Sequence, residues 1–134
     1  MNKIIITVLM TILTFTASLP LQAQETSTAV TQANIHQTIC VRGYTATVRP
    51  TYTQSSDIKH KICRIQGIIY CRDVILDHII PLEVGGHPAS LANLQLQDSE
   101  GSKLKDKLEN KLHKDVCSGI ITLKAAQKQF KREK

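Results

Sequence analysis

After residue 23 the sequence lacks any apolar run that approaches the roughly 20 residues of a membrane-spanning helix. The start of the chain is different, because Lys3 precedes an almost wholly apolar stretch from Ile4 to Phe15. Small residues follow up to Ala23, and the whole pattern is typical of a secretory signal peptide cleaved after Ala23. A membrane anchor is the alternative, although the apolar stretch is short for one. We therefore expect residues 1–23 to be removed on export.

A Cys directly after the predicted cleavage position is also lacking, which argues against a lipid anchor there. The mature chain is therefore predicted to be secreted or periplasmic, with no stable membrane association. The sequence has no internal repeat, and its 134 residues suffice for one domain. We expect a monomer. Its formal net charge of +6 is compatible with a polyanionic partner such as nucleic acid but does not identify one.

No Cys-x-x-Cys pair is present, so the usual ligand spacing of a structural zinc site is missing. All four cysteines, Cys40, Cys63, Cys71 and Cys117, lie after the predicted signal peptide. An even number of cysteines in a short exported chain indicates disulfide bonds, and three pairings are open. Among these we favour Cys63–Cys71 as a local bond and Cys40–Cys117 as a bond between the two ends of the domain. Each adds roughly 2–4 kcal/mol to stability.

The mature chain begins with a segment, 24–36, that lacks apolar periodicity and is predicted to be a flexible lead-in. The folded domain is expected to span residues 37–134. Its first part, 38–50, has many β-branched residues and the step Arg49-Pro50, both of which disfavour a helix. We predict an extended N-terminal segment there.

The middle of the domain alternates between apolar segments and turn signals. Residues 57–65 favour a short helix, while 68–70 and 74–80 are apolar and strand-like. Gly85-Gly86 is a strong loop signal. The alternating residues 93–97 predict a second strand.

Two helices are predicted after residue 97. Ser102 is a suitable N-cap for the first, and Gly119 a natural end. An apolar stripe of residues four apart predicts its buried face: Leu104, Leu108, Leu112 and Val116. Thr122 is suited to cap a C-terminal helix.

The order of these features resembles the HNH endonuclease family. The resemblance is carried by the run from Asp77 to Gly86, which includes Asp77-His78, and by Asn93-Leu94-Gln95-Leu96. The run from Lys105 to Asn110 is similar to a small secreted subgroup of that family. The similarity covers roughly residues 37 to 130. It implies a small single α+β domain with a ββα-metal core, stapled by disulfides.

The resemblance also implies a chemistry. Phosphodiester hydrolysis needs an activated water, and a neutral imidazole is suited to remove its proton near pH 7. The family pattern puts His78 in this general-base role and Asp77 on a divalent ion, Mg²⁺ or Mn²⁺ first and Zn²⁺ or Ni²⁺ as alternatives. It gives Asn93 the role of orienting the glycine loop. Because neighbouring residues of a strand point to opposite faces, Asp77 and His78 serve one site only if the strand bends or ends there.

The sequence departs from the family pattern at one position. The family supplies a third His or Asn, as a second metal ligand, in the first turn of the following helix, but residues 97–103 contain neither. Asp98, Glu100 and Ser102 are the candidate substitutes, with a carboxylate more credible than a hydroxyl.

Lys105 and Arg49 are candidate contacts to nucleic-acid phosphates, although solvated surface charges are the alternative. We therefore expect an exported, metal-dependent endonuclease that acts on DNA more than RNA, with little sequence specificity. One alternative is a degenerate HNH fold that binds nucleic acid or a protein partner without cleavage. Another is a disulfide-stapled interaction module.

Overall fold

The computed structural model describes residues 24–131, so the predicted signal peptide lies outside the described residues. Two strands, β1 (Ile75–His78) and β2 (Leu94–Gln97), form one antiparallel sheet. The α-helices of this part of the chain are α1 (Tyr44–Val48), α2 (Tyr52–Gln66), α3 (Ser99–Cys117) and α4 (Leu123–Lys131). Short 3₁₀ helices cover Gln32–Gln37, Cys71–Asp73, Leu82–Val84 and Leu91–Asn93. The prediction of a small α+β domain is confirmed.

The hairpin of β1 and β2 has two different faces, because successive side chains of a strand alternate. Asp77 lies opposite Gln95 and His78 lies opposite Leu94 in the pairing of the strands. Asp77 contacts α3 through Lys105, whereas His78 shares a cavity with residues of α2. We call these two sides the α3 face and the α2 face.

The segment 38–50 was predicted to be extended, and this is wrong. It forms turns and then α1. The helix begins after Gly43, whose backbone is in the left-handed region at φ 87°. Ile39 is buried, and Cys40 is bonded to Cys117 at the end of α3. These tertiary contacts outweigh the β propensity of the segment, since that propensity depends strongly on context.

Helix α2 begins earlier than the predicted residues 57–65 because of a capping box that the prediction missed. The Thr51 hydroxyl accepts a hydrogen bond from Gln54 N (3.3 Å), and Thr51 N donates to Gln54 Oε1 (2.9 Å). Gly67, at φ 69°, ends the helix. The next residues, 68–70, form no strand.

The start of α3 also differs from the prediction. Asp98 is the N-cap, and its carboxylate accepts a hydrogen bond from Gly101 N at 2.7 Å, so Ser102 lies inside the first turn. The predicted apolar stripe is only partly buried. Leu112 and Val116 belong to the core, but Leu104 is 64% exposed. Leu104 lines a cavity of about 400 Å³ between α3 and the hairpin, together with Gln95 and Gln97 of β2, so its side chain is not packed in the core.

Both predicted disulfide pairings are confirmed. Cys63–Cys71 clips the end of α2 to the segment that leads into β1, and Cys40–Cys117 joins the N-terminal turns to α3. The core between α3, α4 and the loop after β1 is built from these buried residues: Val30, Ile35, Ile39, Ile79, Ile80, Val84, Leu112, Val116, Leu123, Ala126 and Phe130.

Part of the segment 24–36, for which we predicted a flexible lead-in, packs against the glycine loop. Ser27 N donates to Gly85 O and His87 N donates to Glu25 O, both at 2.9 Å. Val30 is 7% exposed and contributes to the core, which supplies the apolar burial that holds the segment in place. No helix within residues 24–131 has the length and apolar character needed to cross a bilayer.

Candidate functional site

Asn93 fixes the loop that follows β1. Its side chain is completely buried. Its Oδ1 accepts a hydrogen bond from Ile80 N (2.8 Å), and its Nδ2 donates to Ile80 O (2.9 Å) and His87 O (3.0 Å). A β-carbon at Gly86 would lie 1.7 Å from Ile80 O, so only glycine fits beside this amide. These contacts suit the loop-orienting role predicted for Asn93.

His78 stands at the end of β1 and is held by the loop that Asn93 fixes. Its Nε2 lies 2.9 Å from Pro88 O. Since a carbonyl oxygen only accepts, Nε2 carries the proton and Nδ1 of the neutral ring has a free lone pair. The ring therefore has one nitrogen for orientation and the other for chemistry.

The environment of His78 keeps the imidazole neutral. Burial lowers the pKa of His78 below its ordinary value of 6.5, and the positive charges of Arg49 and Lys105 act in the same direction. The hydrogen bond to Pro88 and the negative charge of Asp77 oppose this shift; each is weaker than burial but stronger than the effect of either cation. A lowered pKa keeps the ring in the unprotonated form that a general base requires near pH 7.

His78 borders a small cavity of about 100 Å³ on the α2 face. Arg49, which is exposed and follows α1, lines the same cavity. Ser55 of α2 and Leu76 of β1 form further parts of its wall. The structure thus brings His78, Arg49 and Asp77 together around one small cavity.

Asp77 also lines the His78 cavity, but its carboxylate is paired with groups of the α3 face. Its Oδ2 lies 2.9 Å from Lys105 Nζ and also accepts a hydrogen bond from the Gln97 amide. Lys105 pairs in addition with Glu109, and its Nζ lies 5.6 Å from the centre of the Phe130 ring. Burial raises the pKa of Glu109, while its hydrogen bond to Lys105 opposes the shift. The cluster is a partly buried ion-pair network.

This network does not fit the divalent ion predicted at Asp77. An ammonium group already faces the carboxylate, and a second cation beside it would be repelled. Asp98 caps α3 instead of pointing its carboxylate at a shared ion. Ser102 is partly buried in the first turn of α3, near a helix terminus that disfavours cations.

Lys105, which was also predicted to contact phosphates, pairs with Asp77 and Glu109 in the structure. Only 9% of its side chain is exposed, and two carboxylates neutralise it. The sequence showed that Lys105 and Glu109 are four residues apart on one helix, but it did not show that Asp77 joins them. That third contact depends on the packing of α3 against the hairpin.

A second group of metal-binding side chains lies at the other end of α3. Cys40, His113 and Cys117 each place one ligand atom within 4.8 Å of the others, and the group has the atoms to hold a metal ion. Both sulfurs form the Cys40–Cys117 disulfide, and His113 Nε2 lies 2.9 Å from Ile39 O. A disulfide sulfur is not a thiolate ligand, so metal binding here requires reduction. The spacing of His113 and Cys117, one helical turn apart, is the sequence signal of this group.

Comparison with known proteins adds no further assignment, since no family model, curated protein or solved structure matches this chain.

Proposed function

We propose that this chain is an exported HNH-type nuclease that hydrolyses phosphodiester bonds in nucleic acid, DNA before RNA, with His78 as the general base. The observation that carries the proposal is the fixed imidazole: Nε2 is held by Pro88 O at 2.9 Å, and the ring borders a small cavity that Arg49 also lines. The order of strand β1, glycine loop, strand β2 and helix α3 supports the proposal further. The Asn93 amide, which holds the loop by hydrogen bonds, also supports it. Export is supported by the two disulfides.

The proposed reaction uses the two groups at the cavity. Nδ1 of His78 takes a proton from a water molecule while the water oxygen bonds to phosphorus. The guanidinium of Arg49 neutralises charge on the non-bridging phosphate oxygens. The bond from phosphorus to the leaving oxygen breaks, and that oxygen takes a proton from solvent.

The predicted requirement for Mg²⁺ or Mn²⁺ needs a separate test, because Lys105 faces Asp77. Oxidised chain from residue 24 onward is incubated with supercoiled plasmid, with each ion and with a chelator instead. Nicking in chelator at a rate similar to that in Mg²⁺ supports the metal-free arrangement. Nicking that depends on the ion means that Lys105 withdraws from Asp77 when the ion binds. Failure to nick under every condition contradicts the proposed activity.

A second candidate function is binding of nucleic acid without cleavage. The pairing of Lys105 with both Asp77 and Glu109 favours it, because this network leaves the α3 face without the Lewis acid of a metal nuclease. In that case the chain shifts DNA in a gel, with an affinity that falls steeply as salt is raised, and leaves the plasmid intact.

A further inference from the structure

We propose that the His78 cavity is the middle of a groove along α2 that takes single-stranded nucleic acid, with Tyr52 as a stacking surface for an unpaired base. This inference rests on the proposed function, since it names the form of nucleic acid that reaches His78.

The groove follows from three adjoining cavities. The cavity of about 100 Å³ at His78 shares Ser55 and Leu76 with a neighbouring cavity of about 330 Å³ that Tyr52 lines. On its other side it shares Arg49 and Pro88 with a cavity of about 470 Å³. All three are lined by residues of α2, and the two outer cavities share no lining residue with each other, so the His78 cavity joins them.

Tyr52 is placed for stacking on a base. It is the first residue of α2 and is 89% exposed, although it lines the Ser55 side of the groove. An aromatic ring offers a flat surface on which any unpaired base stacks, without reading its identity. Bases within a duplex are already stacked on both sides, so they do not offer a free face to Tyr52. This is the reason to infer a single strand rather than a duplex.

Positive charges lie at both ends of the groove. Arg49 lines the cavities at one end, and Lys59 and Arg72 line the cavity at the Tyr52 end. Arg72 is exposed and has only a surface ion pair with Asp73. Two carboxylates also line these cavities: Asp57 at the Arg49 end and Asp77 in the middle cavity. Cations on either side of an exposed aromatic are the arrangement that tracks a phosphate backbone and stacks its bases.

The absence of tryptophan from the chain makes a direct test available. In a His78→Gln background, which prevents cleavage, the Tyr52→Trp substitution adds a single fluorescent indole. A 12-residue oligothymidylate should quench its emission, because the base stacks on the ring. The Tyr70→Trp substitution is the matched control, since Tyr70 is also exposed (65%) but does not line the groove cavities. Its emission should not change.

Affinity is measured in the same background by the anisotropy of labelled oligothymidylate. Tyr52→Ala should raise the Kd by about 5- to 100-fold, and Tyr70→Ala should leave it within about twofold. A duplex containing the same strand should bind at least about tenfold more weakly. Unchanged affinity of the Tyr52→Ala variant, equal binding of the duplex, or no binding of either probe overturns the groove. If binding depends on Tyr52 but the wild type never cleaves a labelled strand, the groove stands and the hydrolytic function fails.

Discussion

The α3 face and the α2 face of the hairpin receive side chains from adjacent residues of the same strand and treat them in opposite ways. On the α3 face, Asp77 is paired with Lys105, which Glu109 also neutralises. On the α2 face, His78 makes one hydrogen bond to Pro88 and borders a cavity. The charge of Asp77 is therefore matched by Lys105, and this ion pair joins the hairpin to α3. A neutral imidazole with a free nitrogen beside an opening is available for proton transfer.

The largest effect should come from removing the free nitrogen on the α2 face. His78→Gln is expected to lower the nicking rate by at least about 100-fold, which is the contribution of a general base. The free energy of unfolding should change by no more than about 1 kcal/mol, because one hydrogen bond to Pro88 is altered. Nicking rate and urea denaturation are measured on the same preparation. If the variant nicks at a rate close to that of the wild type, His78 is not the general base.

Breaking the α3 face should instead destabilise the fold. Lys105→Met leaves Asp77 and Glu109 facing each other without their cation, at a cost of about 3 kcal/mol. Lys111→Met is the matched control: Lys111 pairs with Asp115 four residues on but is 69% exposed, so its loss should cost no more than about 0.5 kcal/mol. Equal urea midpoints for the two variants would show that the Lys105 network contributes no more than a surface pair.

Asn93 lies where the two faces meet, so its loss should affect both stability and cleavage. Asn93→Ala leaves the buried Ile80 N and Ile80 O and the carbonyl of His87 without their side-chain partner, which costs about 2 kcal/mol. Asn110→Ala is the control, since that exposed amide only donates to Asp106 O, and its midpoint should stay near the wild type. A folded Asn93→Ala variant that still nicks at the full rate contradicts an orienting role for Asn93.

The smallest effect should be a pH dependence from His78. Since its pKa is lowered by folding, the unfolded chain binds this proton first as the pH falls below 6.5. The stability that the neutral imidazole contributes is therefore complete above that pH and is lost as the pH falls further. The wild type should lose stability relative to His78→Gln across this window, in urea titrations at several pH values. Parallel curves for the two proteins would mean that the pKa of His78 is not shifted.

Several features of the fold were predictable because they depend on local pattern. The two disulfide pairings, the two strands and the long helix before Gly119 agree with the prediction within a few residues. The capping box of Thr51 and Gln54 was also readable in principle, since it depends only on residues three apart. The N-cap of α3 was misplaced because Asp98 and Ser102 are both acceptable caps, and only the position of the hairpin selects between them.

What the sequence determined by itself is the set of groups near the loop: the Asp77-His78 pair, the Gly-Gly turn and Asn93. Because they lie on the two strands and the loop of one short hairpin, the pairing of the strands is enough to bring them together. The tertiary structure alone decided their state. Lys105 reaches Asp77 because α3 packs on the hairpin, and Arg49 lines the His78 cavity because the segment before α2 forms turns and α1 rather than an extended strand. The electrostatic environment of Asp77 and His78 depends on charged residues that are distant in the sequence, so it cannot be read from the local sequence pattern.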